Sequence, residues 1–309
     1  MCDDFTALAA EEALAKRGLN RRQFAALSAA AMSALAIETA RAQDPTMAGK
    51  TIELVEQTVS IPTPDGTMDA YFVHPGDGKH PGIVMWPDIA GLRDAFKVMA
   101  RALAAKGYAV VCVNHYYRSA KAPVMKTISE FFTPDGRAKL GPMIQAITVP
   151  GIMSDSKAIV GWLDKQAAVD TAKKVGAEGY CMTGGYAVRT AAAVPDRVGV
   201  ACSFHGAGIV TDAPDAPYKE IKDSNPDCYF LFAIAQNDDA RQPEQKLVLR
   251  KTAEETGRGI RAEVFHADHG WCVPDAPVYQ HNEAVRARNI SLAFYDKLGP
   301  PPARRGPFG

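Results

Sequence analysis

Hydrophobic positions fall along this chain in short blocks that alternate between two spacings. Continuous or alternating apolar runs mark strands at residues 51–61, 68–73, 82–86, 108–114, 198–204, 228–235 and 260–265, with one more short strand closing at Glu178. Helical spacing fills the intervals at 93–105, 155–168 (through Ile159, Val160, Trp162 and Leu163), 187–193, 243–256 and 277–298. Pro62, Thr63, Pro64, Asp65 and Gly66 form a turn between the opening strands. Residues 119–153 carry no clear period, with a turn at 131–136, and are expected to supply a partial lid. Strands alternating with helices predict an α/β fold with a doubly wound, mostly parallel sheet of about eight strands.

The N-terminus follows another pattern. Arg21 and Arg22 precede an alanine-rich apolar run at 25–37, and Ala40, Arg41 and Ala42 place small residues where a signal peptidase reads. The segment resembles a twin-arginine export signal, a receptor-read address and not an anchor; its apolar run is too short to span a bilayer. The expected division is a signal at 1–42, one catalytic domain at 43–298 and a disordered tail at 299–309, with three prolines at 300–302. The protein would then be exported, or periplasmic, through the export machinery, its mature form starting near Gln43 and owing nothing to residues 1–42. An ordinary amphipathic helix on a cytoplasmic enzyme is the competing reading, favoured by Asp3, Asp4, Glu11 and Glu12.

Composition narrows the function classes. Thirty-five basic against thirty-five acidic residues give a net charge of zero, so no electrostatic footprint for nucleic acid exists. Six cysteines include no C-x-x-C pair, which argues against a dithiol redox site and a cysteine-rich zinc site. Cys112, Cys202 and Cys228 lie in apolar strand runs and are expected in the core. No cofactor is called for.

One cysteine stands apart. Cys181 lies between Gly179 and Gly184 where a strand gives way to a helix, the setting in which a nucleophile is forced into a strained conformation and projects above the sheet. Two later strand ends carry suitable partners. The run 228–235 stops at Asn237, Asp238 and Asp239, and the run 260–265 breaks into His266, Ala267, Asp268, His269, Gly270 and Trp271. In open α/β sheets chemistry gathers at these carboxyl ends, and the order nucleophile, acid, histidine is that of α/β-hydrolases.

These residues, with Pro87, Asp88, Ile89, Ala90, Gly91, Leu92 and Arg93 after the strand at 82–86, resemble the dienelactone hydrolase family over residues 51–298. The resemblance implies an α/β-hydrolase fold with Cys181 as nucleophile, Asp238 as triad acid in preference to Asp239, and His269 as base. It also sets Asp88 where the family carries a glutamate near the thiol and Arg118 where an arginine contacts a substrate carboxylate. Trp271 and His205 are expected beside the substrate. Three departures stand out. Thr183 replaces a glycine, predicting an elbow slightly opened or twisted. Asp88 is one methylene shorter than glutamate, predicting a water-mediated contact with Cys181. Val273 replaces a second carboxylate-binding arginine, which weakens the case for an anionic lactone.

The chemistry implied is hydrolysis of a small ester or lactone through a thioester on Cys181. Asp238 would fix the His269 tautomer, and the backbone N–H groups of Met182 and Ile89 would form the oxyanion hole. A non-catalytic binding protein of the same fold, favoured by Thr183, and a thiol redox protein are the alternatives. His205 has a plainer reading as a histidine bonded to backbone. His266, Asp268 and His269 resemble a metal cluster, but alternation turns His266 and Asp268 to one face, leaving too few convergent ligands.

Overall fold

In a computed structural model, which describes residues 4–20, 23 and 52–299, eight strands form one sheet in the order β1-β2-β4-β3-β5-β6-β7-β8. These are β1 (Leu54–Thr63), β2 (Gly66–Pro75), β3 (Gly82–Trp86), β4 (Ala109–Val113), β5 (Val175–Tyr180), β6 (Val198–Phe204), β7 (Tyr229–Ala235) and β8 (Gly259–Phe265). β1 and β2 form an antiparallel hairpin, β2 pairs antiparallel with β4, and every later pairing is parallel. The fold is therefore α/β with a mostly parallel, doubly wound sheet, as the alternation of spacings requires.

Both faces of the sheet are covered, which is why the central strands read as unbroken apolar runs. Side chains alternate between two cores with the two-residue period of a strand. Ile83, Met85, Val110, Cys112, Leu231 and Ala233 enter one core with the helix Asp94–Ala104. Val84, Trp86, Val111, Phe230, Phe232 and Ile234 enter the other with the helices Val149–Leu163 and Gly184–Ala193.

The stretch 119–153 is more ordered than its sequence pattern predicts. It holds the helices Ile128–Phe131 and Pro134–Gln145 and the start of Val149–Leu163, a helix expected only from 155. Start signals stand in the sequence: the Thr133 and Thr148 hydroxyls accept from the N–H of Gly136 and Gly151, and Pro134 and Pro150 occupy first-turn positions. Periodicity misses them because Pro134–Gln145 buries little beyond Leu140.

Another helix, Asp4–Lys16, packs on the main domain. Ala10 and Leu14 are buried, Ala9 and Ala13 touch the core, and Arg17 Nη2 donates to the Tyr279 carbonyl at 3.1 Å. Arg21, Arg22, the run 25–37 and the small residues 40–42 lie outside the described residues, as do residues 300–309 of the tail expected at 299–309.

Candidate active site

The strand β5 delivers Cys181 at its carboxyl end. Its base is held by a buried polar cluster: Glu178 accepts from Tyr180 (2.9 Å), Tyr295 (2.6 Å) and Arg288 (2.9 Å). Beyond Tyr180 the chain tightens into a single turn at Cys181–Thr183 and enters Gly184–Ala193. Cys181 has φ 56°, a left-handed conformation rare for a residue with a side chain and a mark of functional strain. Gly179 is obligatory here, because a Cβ on it would collide with the Thr183 carbonyl.

The Thr183 hydroxyl lies 2.8 Å from the Trp86 carbonyl and 3.0 Å from the Tyr180 carbonyl, and it accepts from the Tyr180 N–H at 3.0 Å. The side chain thus ties the turn to β3.

Three chain segments meet above β5. The Cys181 side chain hydrogen-bonds His269, whose Nδ1 lies 2.7 Å from Asp238 Oδ2. The short helix Gln236–Arg241, not foreseen from sequence, presents Asp238, and Asn237 Oδ1 accepts from the His269 N–H at 2.9 Å. The neighbouring Asp239 faces Lys246 instead. Burial by itself would lower the His269 pKa, but the charges of Cys181 and Asp238 and their hydrogen bonds outweigh it and push it up to about 10. Such an imidazole is a cation beside the sulfur, the arrangement that stabilises a thiolate.

A small cavity of about 20 Å³ opens over Cys181 and His269. Asp88, His205, Gly270, Val273, Ala276 and Val278 help line it, Ile128 and Phe132 of the 119–153 stretch close one side, and Thr6 and Ala10 of the N-terminal helix close another. Two residues of the segment 1–42 therefore lie beside the site in the full chain.

Asp88 lies in the wall, and the Ala90 N–H donates to its Oδ1 at 2.9 Å. Arg93 donates to the Asp88 oxygens at 2.6 and 2.9 Å and grips Asp275 at 2.7 and 2.8 Å. Asp275 also accepts from the Ile128 N–H at 3.1 Å, fastening the 119–153 stretch to the site. Burial raises the Asp88 pKa, and Arg93 only partly opposes it. Arg93 and Asp275 were missed as site residues; the sequence signal was an arginine directly after Gly91 and Leu92, where a helix begins.

Arg118 does not reach the cavity. It pairs with Asp155 (2.7 and 2.9 Å) and Asp65 (2.6 Å) and covers the Tyr117 ring, so the carboxylate-contacting role implied by resemblance is corrected. Trp271 is fully buried behind the wall, stacked on Phe265 and edge-on to His205. Ile89 follows β3, its carbonyl held by the Tyr116 hydroxyl at 2.8 Å, and Met182 directly follows Cys181.

His205 departs from its plainer reading. It is buried at φ 40°, and neither ring nitrogen has a hydrogen-bond partner. Burial, aided by the His269 charge, keeps its pKa well below the ordinary value, so the ring is neutral.

Known proteins share this architecture. Over 171 residues the chain is 29% identical to a Methylorubrum extorquens protein named "Putative carboxymethylenebutenolidase", a match spanning 55% of each. The chain thus matches about half the length of that curated relative. The crystal structure titled "Putative Dienelactone Hydrolase" from Klebsiella pneumoniae superposes with a TM-score of 0.68 at 17% identity, covering 79% of this chain and 99% of the other. A dienelactone hydrolase from Anabaena variabilis gives 0.56 at 14%, covering 80% and 99%. At these identities the structural likeness is one of fold. The dienelactone hydrolase profile itself aligns with residues 68–298, and the chain belongs to the dienelactone hydrolase family.

Proposed function

We propose that this protein hydrolyses a small carboxylic ester or lactone through a thioester on Cys181. The observation that carries this reading is the strained Cys181 hydrogen-bonded to a His269 that Asp238 holds at 2.7 Å. Membership of a hydrolase family supports the reaction class. The Cys181 thiolate attacks the carbonyl carbon, forming the C–S bond. The developing oxyanion meets the N–H groups of Met182 and Ile89. His269 gives its proton to the departing alkoxide. Neutral His269 then takes a proton from water, hydroxide attacks the thioester, and the C–S bond breaks to restore the thiolate and release the acid. Asp238 keeps Nδ1 protonated throughout and stabilises the imidazolium.

The test is turnover of p-nitrophenyl acetate with intact-mass detection of an acyl adduct on Cys181. Rapid turnover with no adduct in rapid-quench samples, or turnover surviving Cys181→Ala, would overturn the covalent route.

We propose further that residues 1–42 direct export. Support comes from the order of Arg21, Arg22, the apolar run 25–37 and Ala40, Arg41 and Ala42.

A further inference from the structure

We propose that the substrate is an uncharged ester or lactone and that His205 is the neutral side chain that hydrogen-bonds it. The inference rests on the hydrolytic reading above and adds the substrate's charge and one specificity-determining contact.

Two independent observations lead there. The first is the charge around the cavity. Among the described residues, no lysine or arginine lines it. Arg93, behind Asp88, is fully occupied by Asp88 and Asp275, and Arg118 is turned away onto Asp65 and Asp155. Arg93 is paired with Asp88 and Asp275, and His269 with Asp238, so these cations already have carboxylate partners. An anionic substrate would meet the Asp88 carboxylate and cations already paired with carboxylates, at short range and low dielectric where repulsion counts most.

The second is His205. A neutral imidazole carries one donor and one acceptor, and here both face no partner although the ring is buried in the wall beside Cys181 and His269. The ring is fixed by Trp271 at 5.2 Å and His269 at 4.8 Å, and its backbone N–H is anchored on the Ala233 carbonyl at 2.8 Å. A rigid, strained, unsatisfied polar group in the pocket wall is what reads a substrate's hydroxyl or carbonyl oxygen. Sites of this kind discriminate strongly, because an analogue lacking the partner leaves the protein group unpaired.

The test uses the full chain. Cys181 is alkylated with iodoacetamide and with iodoacetate, followed by peptide mass spectrometry and scaled to the rates of a neutral cysteine derivative. The expected result is at least about tenfold slower relative reaction with the anion, a difference of about 1.4 kcal/mol; equal relative rates overturn the charge argument. This arm needs no turnover, so it stands even if hydrolysis fails. The second arm compares p-nitrophenyl pentanoate with mono-p-nitrophenyl glutarate, with at least about tenfold higher kcat/KM expected for the neutral ester. Hydrolysis of neither ester defeats the hydrolytic reading, whereas preference for the glutarate defeats this proposal alone. In the third arm His205→Phe, which keeps a ring and removes both nitrogens, should raise KM for δ-valerolactone about tenfold or more while the pH profile of Cys181 alkylation stays in place. His205→Asn, tolerant of positive φ and polar, should recover part of the loss, and His205→Leu repeats the test if the phenylalanine variant does not fold. Unchanged KM, or a shifted alkylation profile showing action through His269, overturns the His205 assignment.

Discussion

The Asp239 carboxylate is gripped by Lys246, whose Nζ lies 2.6 Å from each of its oxygens. That pairing separates two aspartates that sequence alone leaves side by side. Asp238, one residue earlier, is the partner of His269. Asp238→Asn should cut kcat by several orders of magnitude, as about ten-thousand-fold is lost in the corresponding serine-protease change. Asp239→Asn, breaking a partly exposed ion pair, should leave kcat within about threefold and cost at most about 1 kcal/mol of stability. Steady-state kinetics of both variants decide it; comparable losses would remove Asp238 from the acid's role.

His269 carries a second expectation. After burial, the charge on Cys181 is the largest influence on its pKa, so Cys181→Ala should bring that pKa down from about 10 toward the ordinary imidazole value. Nitrogen-15 NMR titration of the ring reads this directly. Because the folded pKa is raised, the stability His269 contributes is complete below about pH 6.5 and is lost as pH climbs through 10. Wild type should therefore lose more Tm than Cys181→Ala between pH 7 and pH 10.

Thr183→Val keeps the shape and deletes the hydroxyl that bonds Trp86 and Tyr180. Leaving these buried backbone groups unpaired should cost roughly 1–3 kcal/mol, seen as a Tm lower by several degrees. Activity should fall with it, since the same bonds hold the turn that presents Cys181. A variant as stable and active as wild type would show the hydroxyl to be idle.

His115 offers a pH test away from the chemistry. It is buried against Tyr116, both ring nitrogens lack partners, and burial, with Arg93 nearby, pulls its pKa down to about 3. With the folded pKa depressed, its contribution is full above about pH 6.5 and is lost as pH falls toward 3. Two pH units below 6.5 the penalty is roughly 3 kcal/mol. His115→Phe should therefore lose less Tm than wild type between pH 7.5 and pH 4.5. Parallel losses would mean that the ring already has a proton partner in the folded protein.

Much of this was legible in the sequence because it depends on local patterning. β3 and β6 fall where the apolar runs 82–86 and 198–204 place them, and Gly179, Cys181 and Gly184 mark the turn by the backbone room they need. What was hidden depends on contacts between distant segments. Arg93 meets Asp275, and Lys246 takes up Asp239; neither contact leaves a periodic trace. Arg118 shows the converse, a position matched by resemblance whose side chain is captured by Asp65 and Asp155.

The N-terminal segment makes the last prediction. Protein from the native cell should begin at or within a few residues of Gln43 by mass spectrometry, and the pair Arg21→Lys and Arg22→Lys should hold it in the cytoplasm. Active cytoplasmic protein with an intact Met1 would defeat export. Since Thr6 and Ala10 close one side of the cavity, a chain starting at Gln43 should accept bulkier esters than the full chain, compared by kcat/KM along a p-nitrophenyl ester series.

The grip of Arg93 on both Asp88 and Asp275 has a bearing on how the protein is born. At synthesis rates of about 5–20 residues per second, Arg93 leaves the ribosome many seconds before the segment carrying His269 and Asp275 exists. During that interval the cavity has no far wall and Cys181 has no imidazolium beside it, so it is an ordinary, weakly ionised thiol. The imidazolium beside the Cys181 sulfur is thus among the last features the growing chain acquires.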